Sequence, residues 1–140
     1  MNKININTCF IKTAALLGAL AVILGAFGAH GLKNQVSAEA LQVFEVGVRY
    51  QMYHVFALAL TGVLFMAGNN NRLKWAGRLF IAGIVLFSGS LYALTFAMGS
   101  AHPALLKLGI ITPFGGVCFI AAWILLAASF GKVKTQASRL

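Results

Sequence analysis

Three histidines, two acids and a few hydrogen-bonding side chains are the residues of this 140-residue chain whose types suit chemistry. An imidazole carries protons near neutral pH or ligates a metal. His30, His54 and His102 show no pair three or four residues apart, the spacing that places two ligands on one helix face, so no metal is expected. Glu45, Arg49, Tyr50, Gln51 and Tyr53 crowd the same level as the histidines. At about 100° per residue, Gln42, Glu45, Arg49 and Tyr53 share about 80° of one helix. Glu45 precedes Arg49 by four, the favourable order for an ion pair. His54 points away from that face and needs another partner. The simplest role of the two charges is a structural pair that neutralises Arg49, and that of the tyrosines an interfacial aromatic belt. The alternative is a site for a substrate, a proton or a lipid headgroup. Farther along, Ser88, Ser90, Tyr92 and Thr112 are neutral donors and acceptors suited to bonds between helices. No nucleophile–base set, P-loop or glycine-rich nucleotide loop occurs. No catalytic residue and no cofactor are expected.

The elements that must position these side chains are set by composition. Hydrophobic residues are 60% of the chain, charged residues 9%, and the mean hydropathy is +0.87. Soluble domains carry about 25% charged residues, so much of this surface must face lipid. The net charge of +9 does not indicate nucleic acid, because the basic residues are scattered between apolar runs. Cys9 and Cys118 form no spacing motif. A membrane helix needs about 20 largely apolar residues, and four stretches qualify, near 13–29, 47–67, 79–98 and 108–129. The expectation is one all-α integral membrane domain over 1–140, a four-helix transmembrane bundle. Lys3 and Lys12 before the first run resemble a signal peptide. The run is nevertheless longer than the usual apolar region of about 7–15 residues, and retention is expected. Basic residues divide unequally: Lys3, Lys12, Arg72, Lys74, Arg78, Lys132, Lys134 and Arg139 on one side, Lys33, Arg49 and Lys107 on the other. The positive-inside bias then places both termini in the cytoplasm, with the "NNNRLKW" turn, Asn69 to Trp75, on the same side.

The apolar part of the second run, Val55–Ala67, is too short to cross alone, so it must draw Arg49–His54 into or against the bilayer. Charged and imidazole groups at that depth face a bundle or a wet cavity. From Ser37, an N-cap followed by Glu39 in the first turn signals a helix start. A short amphipathic helix is expected between spans one and two, lying at the outer interface or extending span two. On helix one, Ala14, Gly18, Ala21, Gly25 and Gly28 step by four and three within about 80° of arc. Such a strip of small residues lets helices approach closely where lipid gives no hydrophobic drive. Ala82, Gly89 and Ala93 form a comparable strip on helix three, and Gly109 and Gly116 flank Pro113 on helix four. Pro113 is expected to kink that helix. Gly28-Ala29-His30 is faintly echoed by Gly99-Ser100-Ala101-His102, a match short enough for chance.

Four ordered motifs, "GAFGAHGL" (25–32), "YQMYH" (50–54), "FSGSLY" (87–92) and "ITPFGG" (111–116), resemble the YgdD-type family of small bacterial inner-membrane proteins. That family is of unknown function and has a eukaryotic transmembrane relative. The resemblance, over about residues 13–129, implies a four-helix protein of the inner (plasma) membrane and supplies no substrate, cofactor or catalytic residue. Three classes of function stay open. The first is a non-enzymatic membrane component that associates with lipid, other membrane proteins or itself. The second is a small channel or transporter using the outer-side polar cluster, and the third a membrane enzyme. A transporter needs a polar cavity continuing from Arg49 past Ser90. His30 is expected within hydrogen-bonding reach, directly or through one water, of the Arg49–His54 turn.

Overall fold

In a bilayer core no water satisfies backbone amides and carbonyls, so a spanning chain must bond them within each segment. The computed structural model describes residues 6–98 and 103–130, without the side chains of 6, 7 and 103–106, and these segments are helical apart from short connections. Helix α1 (Ile6–Phe27) opens into a π-helical turn, Gly28–Leu32. Helix α2 covers Ala38–Ala67. Helix α3 (Asn71–Gly83) passes through a second π-helical turn, Ile84–Ser88, into α4 (Gly89–Met98). A 3-10 segment, Pro103–Ile110, leads into α5 (Thr112–Ser129). Four spans are long and apolar enough to cross a membrane: Thr8–Leu32, Ala38–Ala67, Asn71–Met98 and Lys107–Ser129.

The helix ends decide one alternative that the sequence leaves open and differ from the sequence-based expectation in two further places, each with a local cause. The amphipathic segment after Ser37 is no separate helix. It forms the first turns of α2, capped where Ser37 Oγ accepts from the Ala40 amide at 3.2 Å. Nothing between Ala38 and Ala67 breaks a helix, since neither proline falls there. The asparagine-rich stretch is not a loop over its whole length, because Asn70 caps α3 by accepting from the Arg72 amide at 2.9 Å. Pro113 kinks nothing. It stands in the first turn of α5, where its missing N–H costs no helical hydrogen bond and its fixed φ suits the helix.

The apolar core lies toward the Gly68–Asn70 turn. Phe10 and Ala14 of α1, Leu58 and Phe65 of α2, Phe80 of α3 and Leu126 of α5 pack there. Gly62 and Gly77 admit the start of α1: a methyl group at Gly77 would lie 2.6 Å from Phe10 Cζ. At that end Arg72 Nη1 donates to the Ala128 carbonyl at 2.6 Å and Asn70 Nδ2 to the Ser129 carbonyl at 3.4 Å. These bonds satisfy two of the carbonyls that a helix C-terminus leaves without partners. Leu16, Ile23, Phe56, Val63, Val85, Ile120 and Ile124 point outward, a surface suited to acyl chains rather than water.

Candidate functional site

Polar side chains gather toward the other end of the bundle, and those in its interior, Ser88 excepted, bond to backbone carbonyls or to one another. Gln51 of α2 is only 2% exposed. Its Nε2 donates to the Leu17 carbonyl of α1 at 2.8 Å, and its Oε1 accepts from Tyr92 Oη of α4, also at 2.8 Å. One amide thus ties three helices. Gly47 makes room for this arrangement, since a methyl group there would lie 2.8 Å from Tyr92 Cε1. Ser90 donates to the Phe87 carbonyl at 2.9 Å, so Thr112 of α5 donates to Ser90 Oγ across their 2.7 Å contact. Thr95 shares its proton between the carbonyls of Leu91 at 2.9 Å and Ala40 at 3.2 Å. Ser88, fully buried in the second π-helical turn, has an Oγ with no hydrogen-bond partner.

His54 is buried, with its Nδ1 donating to the Tyr50 carbonyl at 2.7 Å. Its ring lies flat on Phe119 of α5, centroids 3.4 Å apart at an interplanar angle of 7°. Phe80 and Trp123 complete an aromatic surround. Tyr50 stacks on Phe87 at 4.7 Å. Gly83 and Gly115 permit this crossing, because a methyl group at either would collide with Phe119 or with the Phe87 backbone. The imidazole that points away from the charged face of α2 therefore finds its partner within its own helix and packs against α5.

The charged face itself is open. A groove of about 260 Å³ runs between α1, which contributes Gly25, Gly28 and Ala29, and α2, which contributes Phe44, Glu45, Val48 and Arg49. Glu45 and Arg49 are both exposed, and among the described residues they form no ion pair. An exposed pair gains little over separate hydration of its ends and restricts two long side chains, so nothing holds these closed. Tyr50 and Tyr53 are 40% and 56% exposed on the same helix.

The small residues of α1 face α2 along this seam. Ala14 and Ala21 are buried. Methyl groups on Gly18, Gly25 and Gly28 would meet Val55 at 3.3 Å, Val48 at 3.5 Å and the Phe44 ring at 3.1 Å. His30 does not join the cluster. It is exposed in the first π-helical turn and makes no hydrogen bond among the described residues, so a direct link to Arg49–His54 is absent. The reason lies in the contact that brings α1 to α2 at this level, Gly28 on the buried Phe44 ring, which is apolar and leaves the imidazole outside. His102, and with it the faint echo of Gly28-Ala29-His30, lies outside the described residues. On span three the strip Ala82, Gly89 and Ala93 forms no buried face, and Ala82 is half-buried. Gly89 and Ala93 are exposed, and nothing lies within 4 Å of a methyl group built on Gly89. The close approaches use Gly77 and Gly83 of α3 and Gly115, rather than Gly116, of α5.

Residues 24–116 of the chain match the family described as "Protein of unknown function (DUF423)". The chain is 47% identical over 117 residues to the UPF0382 membrane protein SAB0533 of Staphylococcus aureus (strain bovine RF122 / ET3-1), covering 84% of this chain and 90% of that protein. It is 47% identical over 126 residues to the UPF0382 membrane protein YwdK of Bacillus subtilis (strain 168), covering 88% and 96%. A Staphylococcus saprophyticus UPF0382 membrane protein, SSP2132, is 43% identical over 124 residues, 89% of this chain and 98% of the relative. No solved structure matches the chain significantly.

Proposed function

Because the chain belongs to the DUF423 family and its relatives are small bacterial membrane proteins, we propose that it is a non-enzymatic component of the bacterial inner (plasma) membrane that associates with lipid or with other membrane proteins through its outer-side groove. In this reading it is of the YgdD type, with both termini cytoplasmic by the division of its basic residues. One observation carries the proposal: the groove beside Arg49 is lined by the outer turns of the first two spans alone, while the polar groups deeper in the bundle, Gln51 and Ser90, are buried and bonded. A transporter would need that groove to continue past Ser90. A bundle that meets lipid or a partner at its surface needs only the groove.

Two experiments test this reading. Reporter fusions after Arg72 and after Leu140 should both report cytoplasm, and a periplasmic signal from either would overturn the orientation. Purified protein reconstituted in liposomes should give no saturable solute flux, and should retain phospholipid or membrane proteins when isolated from membranes in mild detergent. A saturable flux would replace the proposal with transport.

A further inference from the structure

The lipid arm of that reading can be taken further, because the groove has a depth, a size and an order of charges. Helix α2 has 30 residues, about 45 Å at 1.5 Å per residue, against a hydrocarbon core of about 30 Å. Measured back from Ala67, about 30 Å of helix ends near residue 48. Arg49 therefore stands at the boundary of the hydrocarbon, and Glu45 about 6 Å farther out along the axis. At about 260 Å³ the groove is smaller than the ~300–1,000 Å³ typical of small-molecule sites, so it suits a headgroup with its chains left outside. Phe56, seven residues deeper than Arg49 and so on the same face of α2, is exposed where acyl chains would continue.

Glu45 and Arg49 are placed to pair with each other and do not, although both line the groove. Two unpaired opposite charges set in line along the membrane normal match a headgroup that carries its own two charges in that order. In an aminophospholipid the phosphate is joined to glycerol and lies inward, while the primary ammonium is at the free end. A guanidinium binds phosphate oxygens through paired N–H donors. A carboxylate accepts hydrogen bonds from a primary ammonium, which a quaternary ammonium cannot donate. We propose that the groove between α1 and α2 binds an ethanolamine phospholipid, Arg49 holding the phosphate and Glu45 the ammonium. This rests on the lipid-associating reading above and specifies its headgroup.

The test uses the full chain in mild detergent, incubated with equal amounts of dioleoyl phosphatidylethanolamine, phosphatidylcholine and phosphatidylglycerol, with retained lipid counted by native mass spectrometry. The ethanolamine lipid should be retained about tenfold over the other two, the ratio corresponding to one charge-assisted hydrogen bond. Glu45→Gln should lower ethanolamine-lipid retention to the choline level while leaving retention of the choline lipid within a factor of about two. Arg49→Gln should lower retention of all three by about tenfold. Both side chains are exposed, and unchanged thermal unfolding of each variant would show that folding is intact. Equal retention of ethanolamine and choline lipids, a preference for phosphatidylglycerol, or a Glu45→Gln variant with its selectivity intact would overturn the headgroup assignment. Provided retention remained sensitive to Arg49, the lipid-associating reading would survive. Retention of every lipid unaffected by Arg49→Gln would overturn both.

Discussion

The seam between α1 and α2 and the seam between span three (Asn71–Met98) and α5 solve the same problem in opposite ways. Both join helices where lipid supplies no hydrophobic drive, so close packing and hydrogen bonds must do so. Between span three and α5 the solution is closure. Gly115 lets α5 touch the Phe87 backbone, His54 of α2 lies flat on Phe119, and Ser90 bonds Thr112. Between α1 and α2 the small-residue strip brings the helices together along their length, but the end at Gly25–Ala29 stays open as a groove whose charges form no ion pair among the described residues. Closure is stable where buried polar groups find partners, as all but Ser88 Oγ do among the described side chains, whereas an open charged groove persists where water or a headgroup solvates it. The tight seam makes the scaffold, and the loose one is where the molecule meets its surroundings.

The comparison ranks the effects of mutation. Gly115→Leu should be the most damaging, because its side chain has to displace the Phe87 backbone. Overpacking of this kind costs about 1–3 kcal/mol or more, and loss of the folded monodisperse species on size-exclusion chromatography is the expected result. Gln51→Leu comes next, since it strands the Tyr92 hydroxyl and removes a bond to Leu17. A loss of about 1–2 kcal/mol is expected from denaturant unfolding. Adding Tyr92→Phe should cost less than the sum of the two single changes, and strict additivity would show that the bond carries no energy. Ser90→Ala should cost about 0.6–1.7 kcal/mol and show coupling to Thr112→Val of similar size in a double-mutant cycle. His30→Ala should be the mildest, within about 0.5 kcal/mol of the native chain, because the side chain is exposed and bonds to nothing among the described residues. A marked loss of stability there would restore His30 to the cluster.

What the sequence made legible follows from which forces act along one helix and which act between helices. The four spans and their order were readable because hydropathy over about 20 residues is a local property. The strip on α1 was readable as one face for the same reason. Which face of span three meets a neighbour was not. Its small residues Ala82, Gly89 and Ala93 share a side, yet contacts form through Phe80 and Thr95 toward α2 and through Gly83 and Ser90 toward α5. Periodicity finds a strip and does not say what lies opposite it. Pro113 was misread because helix starts are set by the preceding 3-10 segment as much as by the proline itself. Gln51 was visible only as one of several polar residues at a level, and its signal was its chemistry: an uncharged amide carries two donors and an acceptor pair able to join two further helices. His30 was over-read, because a polar residue at a helix end close to the interface can be solvated without a protein partner.

The central claim is that the polar interior is closed while the α1–α2 groove is open, and site-directed labelling tests it most directly. In a background with Cys9 and Cys118 replaced by serine, single cysteines are introduced by Glu45→Cys and by Ser90→Cys, and a membrane-impermeant maleimide is added to permeabilised membranes so that both faces are reached. The account predicts rapid modification at position 45 and none at position 90 until the protein is denatured. Modification of both at comparable rates in the native protein would reveal an aqueous path from the groove past Ser90 and contradict it.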